Sequence, residues 1–204
     1  MKGLTREVLI DAGLRLLDEV GLDGLTVRRL ATELGVQSPA LYWHIRTKQE
    51  LLDGMANAII LRAGMGPPRD DESWQEWLAR RARAYRKSLL ASRDGARVVS
   101  SAVRGGDSTR HFEEELAAMV ARGFTPLQAL RTITALSHYI TGQVLQEQAV
   151  VRGERPDLSE LPTLAAAVRA GSPMGDDMFE YGLAILITGT EVSLGTPEGY
   201  KLAP

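Results

Sequence analysis

The sequence predicts an all-α fold in which a small N-terminal helical module is joined to a larger helical body. Apolar residues recur at helical spacing along most of the 204 residues, whereas the alternating pattern typical of strands is scarce. Three segments carry the capping-box pattern, a Ser or Thr followed three residues later by Glu or Gln, at 47–50, 73–76 and 125–128. Because each capping box marks a helix start, these segments favour helices over strands.

The individual helices follow from apolar spacing and from boundary signals. The first one has a single apolar stripe, formed by Leu9, Ala12, Leu16, Leu17 and Val20. The nine predicted helices span residues 5–20, 26–33, 38–44, 47–63, 73–92, 108–122, 126–150, 163–170 and 176–193. Glycines lie where helical patterns stop, and we expect left-handed C-caps or turns at Gly21, Gly35, Gly95, Gly123 and Gly171.

We predict two domains, residues 1–48 and residues 49–204, with the helix at 47–63 as the connector between them. Helicity breaks at 64–71, which contains two glycines and two prolines, and again at 152–157, where a polar connection precedes the last helices. The predicted organisation is therefore a small helical head on a larger helical body.

The composition excludes several classes of protein. With 24 Lys and Arg against 26 Asp and Glu, the formal charge is −2, which argues against nucleic-acid binding driven by bulk charge. The absence of cysteine excludes disulfides, cysteine-ligated metal sites and cysteine nucleophiles. No apolar run approaches the ~18 residues of a membrane span and the N-terminus lacks the apolar stretch of a secretion signal, so we expect a soluble, cytoplasmic protein.

Residues 26–44 have the spacing of a helix-turn-helix unit, two short helices joined by a turn. Ala31 is small where the helices must approach closely, and Gly35 allows the positive φ of the turn. The inner faces are apolar, with an expected core of Leu30, Leu34, Val36 and Leu41. We expect Ser38 to cap the second helix and Pro39 to preorganise its first turn.

Positive charge is concentrated in the same part of the chain. Residues 26–48 carry four basic side chains against one acidic, a net +3 that leaves −5 for the remainder. Arg28 and Lys48 stand where they can contact DNA phosphates on either side of an inserted helix. The candidates for base contacts are Gln37, Ser38 and Ala40, since Gln can bind adenine through its amide and Ala can contact a thymine methyl. The same spacing also occurs in ordinary helical bundles, so the spacing alone leaves both interpretations open.

The run from Thr26 to Leu52, TVRRLATELGVQSPALYWHIRTKQELL, resembles the DNA-binding module of the TetR family of bacterial transcriptional regulators, and within it the tetracycline repressor subgroup. The resemblance continues more thinly through residues 72–75, 93–96, 123–124, 137–138, Gly142 and Leu145. It implies an all-α homodimer whose body binds a small molecule, and in which ligand occupancy controls the separation of two helix-turn-helix heads.

At matching positions the resemblance implies a set of DNA contacts, formed by Arg28, Ser38, Pro39, Tyr42, Trp43, His44 and Lys48. Thr26, Gln37 and Ala40 complete the predicted DNA-binding set. Tyr42 and Trp43 have a competing role as core of the module, and the sequence leaves that alternative open for each ring.

The subgroup's own effector, a drug held with a magnesium ion by histidines, amides and acids, is disfavoured here. Gly64 stands where the resemblance expects a histidine, and Arg81 where it expects an asparagine. Val99 stands at the position of the metal-binding histidine. Gln146 stands at the acidic position that the resemblance expects directly after Val144 and Leu145. Because an apolar side chain cannot ligate Mg²⁺, we expect no recognition of magnesium–tetracycline and assign no metal or cofactor.

Other residues at or near pocket positions form the predicted effector site: Arg81, Tyr85, Val99, Phe112, Glu115, Leu130, Thr134 and His138. Arg81 and Glu115 can pair in the empty protein, although Arg81 can also face solvent. Leu130 and Phe112 fit an ordinary core better than a ligand contact, and His138 fits a buried, hydrogen-bonded histidine better than a ligand contact. Apolar stripes on the helices at 126–150 and 176–193 indicate burial, and the resemblance implies that they form a dimer interface.

The predicted function is a homodimeric repressor that binds a palindromic operator and is released by a small-molecule effector. Catalysis has no support, since the sequence contains no metalloprotease, serine-hydrolase or phosphate-loop motif. Two alternatives remain: an activator with the same DNA module, and a ligand-sequestering protein that binds no operator.

Overall fold

The computed structural model describes residues 3–103, 105, 107–149 and 157–195, and over these ranges it consists of ten helices without strands. The helices are α1 (Arg6–Gly24), α2 (Val27–Glu33), α3 (Ser38–Leu41), α4 (Lys48–Arg62), α5 (Trp74–Leu90), α6 (Gly95–Ser101), α7 (Asp107–Val120), α8 (Pro126–Ala149), α9 (Pro162–Ala170) and α10 (Asp176–Leu194). The all-α prediction is confirmed. The second short helix ends at Leu41 rather than at residue 44, and the predicted connection at 152–157 falls almost entirely outside the described residues.

Helix α6 is absent from the sequence prediction, because Gly95 was expected to end a helix and instead begins one. Asp94 precedes it with φ of 56°, a left-handed conformation that turns the chain sharply after α5. A Cβ on Gly95 would run into the carbonyl oxygen of Leu89, so the glycine permits a close backbone approach. Gly171 caps α9 with φ of −175°, which is an extended conformation, so the prediction of a left-handed cap at this glycine is wrong.

The three capping boxes differ in how completely they form. Ser73 and Glu76 exchange both hydrogen bonds at the start of α5. Thr125 and Gln128 do the same before α8, since the Thr125 hydroxyl accepts from the Gln128 amide and the Gln128 side chain accepts from the Thr125 amide. At α4, Thr47 accepts from the Glu50 amide, but the Glu50 carboxylate accepts from the amide of the preceding Arg46.

Helices α1 to α3 form the head, with Leu30, Ala31 and Leu41 buried between them. Gly35 has φ of 65° in the turn between α2 and α3, as predicted. The predicted cap at Ser38 was wrong: Ser38 is the first helical residue, and the N-cap is Gln37, whose side chain makes no capping hydrogen bond. Pro39 lies in the first turn of α3, where its fixed φ suits the helix.

The body is built around α5 and α8, and α4 packs against both α1 of the head and α6 of the body. Its core includes Trp77, Ile133, Val144 and Phe179. Large apolar side chains remain exposed on several helices, among them Leu127 and Leu130 of α8 and Tyr181, Ile185 and Val192 of α10. Among the helices that the structure describes, none combines the length and apolar character needed to cross a membrane.

Candidate functional site

Two aromatic side chains project from the turn that follows α3. Trp43 is 89% exposed and Tyr42 is 51% exposed, while the neighbouring Ile45 is fully buried. The alternative in which these rings fill the core of the head is therefore wrong. A large exposed aromatic surface on a small domain indicates a contact surface, because leaving it in water forgoes burial of apolar area.

The other residues of the predicted DNA-binding set are exposed or half-buried. Exposed members are Thr26, Arg28, Gln37, Pro39 and Lys48, and half-buried members are Ser38, Ala40 and His44. The Thr26 hydroxyl already accepts a hydrogen bond from the Arg29 amide as the N-cap of α2. The ten residues come from the N-cap and first turn of α2, the N-cap and body of α3, the turn after α3 and the first residue of α4.

A group of charged residues joins the head to the body, and we call it the α1–α6 clamp: Asp18, Asp23, Arg93, Asp94 and Arg97. The Asp94 carboxylate accepts from the Leu22 amide at 2.8 Å, and the Asp18 carboxylate accepts from the Arg93 amide at 2.8 Å. Arg97 donates to both Asp23 and Asp94. The hydrogen bond and charge of Arg97 lower the pKa of Asp23 below its ordinary value. The clamp fixes the end of α1 to the start of α6.

A cavity of about 700 Å³ lies in the body, a volume within the usual range for small-molecule sites. Its walls come from the end of α4, the segment after it, α5, α7 and α8. The lining residues are Ile60, Leu61, Gly64, Met65, Gly66, Arg81, Tyr85, Ser108, Thr109, His111, Phe112, Glu115 and Ser137. Because α4 also packs on the head, a change at this end of α4 can reach the DNA-binding surface.

Arg81 and Glu115 form a buried ion pair in the cavity wall. Both are 4% exposed, and they meet through a hydrogen bond from Nε to Oε1 at 3.0 Å and an ion-pair contact between Nη2 and Oε2 at 2.9 Å. The Arg81 Nη1 is buried and has no hydrogen-bond partner in the described part of the chain. A buried, unpaired donor on a charged group costs more than ~1–3 kcal/mol, so this nitrogen is a place where a ligand atom would be stabilising.

The cavity contains half of the predicted effector residues. Arg81, Tyr85, Phe112 and Glu115 line it, whereas Val99, Leu130, Thr134 and His138 are not among its lining residues. Arg81 does not face solvent. Leu130 is 41% exposed and His138 is exposed, so neither the core alternative for Leu130 nor the buried-histidine alternative for His138 holds.

Sequence reasoning missed Ser137, which is buried and lines the cavity. A signal was present, because Ser137 lies four residues after Ile133 and is a polar residue within the apolar stripe of α8. The lining residues from α4 and from the start of α7, such as Ile60 and His111, had no comparable signal. Their roles depend on how the helices pack together.

The segment between α4 and α5 is held at the cavity by Arg80 and Trp77. Arg80 donates to the carbonyl oxygens of Met65 and Pro67 and forms a bidentate pair with Glu72 at 2.7 Å. The Trp77 indole donates to the Gly66 carbonyl oxygen at 2.9 Å. The hydrogen bond from Arg80 lowers the pKa of Glu72 from 4.5 to about 2. The segment that forms one wall of the cavity is thus held by the ionised carboxylate of Glu72.

Replacing Glu72 by Gln is expected to remove a pH-dependent contribution to stability. Since the folded pKa is about 2 against an ordinary 4.5, the contribution is fully present above about pH 5 and declines as the pH falls towards 2. Thermal unfolding midpoints of the protein and Glu72→Gln should therefore differ at neutral pH and converge in acid. The control is Glu113→Gln, which alters an exposed carboxylate of α7. A difference between the protein and Glu72→Gln that stays constant down to about pH 3 contradicts the prediction.

The cavity does not fit the magnesium ion that the resemblance to the tetracycline repressor subgroup implies. No cluster of three His, Cys, Asp or Glu residues suited to a metal occurs among the described residues. Glu115 is the carboxylate in the cavity wall, and both of its oxygens are bonded to Arg81. Magnesium requires oxygen donors in near-octahedral geometry, so we derive no step through a metal.

A helix-turn-helix with an exposed aromatic and basic surface, joined to a helical body with a drug-sized cavity, defines the class of DNA-binding transcriptional repressors with a ligand-binding domain. Residues 9–55 match the family described as bacterial regulatory proteins, tetR family, and residues 67–194 match the tetracyclin repressor-like C-terminal domain. The chain belongs to the TetR family.

Individual relatives agree with this assignment over nearly the whole chain. The chain is 40% identical to the tetracycline repressor protein class A from transposon 1721 of Escherichia coli, covering 93% of the chain and 91% of that protein. A variant of TetR from Acinetobacter baumannii AYE, solved in complex with minocycline, is 34% identical with a TM-score of 0.84 over 98% of this chain and 100% of that one. BioQ, solved with its double-stranded DNA operator, is 28% identical with a TM-score of 0.69, covering 93% and 99%.

Proposed function

We propose that this protein is a homodimeric repressor that binds a palindromic operator and is released when a small-molecule effector enters the body cavity. The exposure of Trp43 and Tyr42 beside α3 is the observation that carries the DNA-binding assignment. In that assignment α3 enters the major groove, Arg28 and Lys48 contact phosphates, and Gln37, Ser38 and Ala40 meet base edges. The operator complex of BioQ supports it.

The dimer rests on the exposed apolar side chains of α8 and α10, which a second copy covers in a four-helix interface. A twofold dimer presents two α3 helices, and we infer that the operator has matching twofold symmetry with half-sites about one helical turn apart. Because the protein binds DNA, we infer that it acts in the bacterial cytoplasm. We assign it no catalytic activity, in keeping with a family of transcriptional regulators.

Release from DNA requires that the effector bind the dimer conformation with low operator affinity more tightly than the conformation that binds the operator. To reverse a 99:1 population, that preference must reach ~10⁴-fold, or about 5.5 kcal/mol. Both α4, which contributes to the cavity and packs against α1, and the α1–α6 clamp connect the body to the head. A tilt of α4 then moves the paired heads away from the groove spacing.

The test is operator selection with the purified dimer, followed by binding to DNA from its own upstream region at low salt. We expect enrichment of a twofold-symmetric sequence. Absence of any enriched sequence would favour a ligand-sequestering protein and overturn the proposal. Deletion of the gene distinguishes repressor from activator, because loss of a repressor raises transcription of the neighbouring genes and loss of an activator lowers it.

Substitutions at the DNA surface are expected to separate positioning from sequence recognition. Lys48→Ala should weaken binding to all DNA and reduce the slope of log affinity against log salt by about 0.9, since one phosphate contact is lost. Gln37→Ala should instead change base preference at one position of each half-site. Lys87→Ala, which removes an exposed lysine of the body, is the control. A change in base preference without a change in salt slope for Lys48→Ala contradicts the assignment.

A further inference from the structure

The buried edge of Arg81 that faces away from Glu115 indicates what chemistry the cavity selects. The side-on pair uses Nε and Nη2, so Nη1 is left on the opposite edge of the guanidinium with two N–H groups. A guanidinium has donors and no acceptor. The group that completes it must therefore carry an acceptor atom.

The charge of the cavity wall argues against a charged ligand. Arg81 and Glu115 cancel, and both carboxylate oxygens are already bonded. Of the other lining residues only His111 has a basic side chain, and it lies exposed with its Nδ1 against the Asp107 carbonyl oxygen. An ionic ligand would bring a charge with no free counter-charge into a site with apolar walls, which is strongly unfavourable.

The remaining walls are mainly apolar or aromatic. Ile60, Leu61 and Met65 lie on one side, and Tyr85 and Phe112 contribute rings. A cavity of about 700 Å³ accommodates a molecule with several rings, and such a molecule displaces water from the wall as it enters. A ligand oxygen that reaches Nη1 gives this buried donor the partner that it lacks among the described residues.

We propose that the effector is an uncharged, multi-ring molecule with a carbonyl oxygen that accepts a hydrogen bond from Arg81 Nη1, and that no metal ion takes part in its binding. This inference rests on the proposed function, because it identifies the ligand class of the same cavity. The proposed effector differs from a magnesium chelate in its charge, in the atoms that bind it and in the residue that selects it.

The test uses matched pairs of probe compounds that differ in one oxygen. Fluorenone and fluorene share a tricyclic shape, and flavanone and flavan provide a second scaffold. Binding to the full-length dimer is measured by calorimetry in EDTA and again with added Mg²⁺. We expect each ketone to bind roughly tenfold or more tightly than its partner without the carbonyl. Addition of Mg²⁺ should leave the affinity unchanged, and fluorenone carboxylate should bind more weakly than fluorenone.

The variant Arg81→Lys tests the role of Nη1. Lysine retains a positive charge that can pair with Glu115 but lacks the second edge of the guanidinium. We expect the preference for ketones to fall to within about twofold. The double variant Arg81→Met with Glu115→Leu removes the pair without leaving a buried charge, and it should also lose the preference while retaining a folded dimer.

Operator binding, measured on the same samples, distinguishes failure of the proposed ligand class from failure of the proposed repressor function. Intact operator binding combined with equal affinity for ketones and hydrocarbons overturns the inference and leaves the proposed function standing. Failure of both ketones to bind up to their solubility limits, or tight binding that requires Mg²⁺, also overturns it. Failure of the unmodified, ligand-free protein to bind any operator overturns the proposed function itself.

Discussion

Replacing Glu115 by alanine is expected to destabilise the protein by about 3–5 kcal/mol. The substitution leaves the Arg81 charge buried, and Nε and Nη2 then join Nη1 as donors without partners. The loss is far larger than for an exposed ion pair, which contributes at most ~1 kcal/mol. Thermal unfolding at fixed protein concentration measures it, and at this chain length each kcal/mol lowers Tm by roughly 2–4 °C.

A matched control for Glu115→Ala is available in the same pair. The double variant Arg81→Met with Glu115→Leu removes both charges and fills the space with apolar atoms. We expect its stability to lie within about 1 kcal/mol of the unmodified protein, or above it, because neither charge then needs to be buried. An unchanged Tm for Glu115→Ala alone would show that water reaches Arg81 and would contradict the buried state of the pair.

Replacing Asp94 by alanine is expected to be the second large effect, with a loss of about 2–4 kcal/mol. The change removes the acceptor for the Leu22 amide and one partner of Arg97. It also places alanine at φ of 56°, a conformation that Asp tolerates better than Ala. The Leu22 amide should lose its protection in hydrogen exchange, and this measurement reports on the α1–α6 clamp directly.

Asp94→Asn is the control for the clamp. Asparagine keeps an acceptor oxygen and tolerates the left-handed conformation, but it lacks the charge that pairs with Arg97. We expect a loss of about 1 kcal/mol and partial protection of the Leu22 amide. Equal exchange rates at Leu22 in the unmodified protein and in Asp94→Ala would mean that the Asp94 hydrogen bond does not hold the end of α1, and would contradict the prediction.

The helices of this fold were predictable because their signals are local. The capping pair of Ser73 and Glu76 and the apolar stripe of α1 lie within a few residues of each other, so spacing alone locates them. Helix α6 was missed for the opposite reason. Its start depends on the left-handed Asp94 and on the carbonyl of Leu89 approaching Gly95, and glycine in sequence predicts a helix end as readily as a close approach.

The site was predictable in part. The resemblance predicted that Arg81 and Glu115 line the cavity. Their opposite charges also predicted the ion pair that the structure contains. Positions on α8 were assigned to the wrong face, since Ser137 lines the cavity and His138 is exposed. A shift of one residue turns a side chain by about 100° around a helix, and sequence similarity at moderate identity does not fix that rotation.

The three tryptophans occupy very different environments, which gives the protein its own optical probes. Trp43 of the head stands almost fully in water, whereas Trp77 of the body is fully buried and is hydrogen-bonded to a residue of the cavity wall. Trp74 is half-buried and packs edge-to-face on Phe124. Indole emission shifts to longer wavelength in water, so the red edge of the protein's fluorescence comes mainly from the DNA-contacting head. The blue edge comes from the ligand-binding body, and a single emission spectrum therefore reads both ends of the molecule.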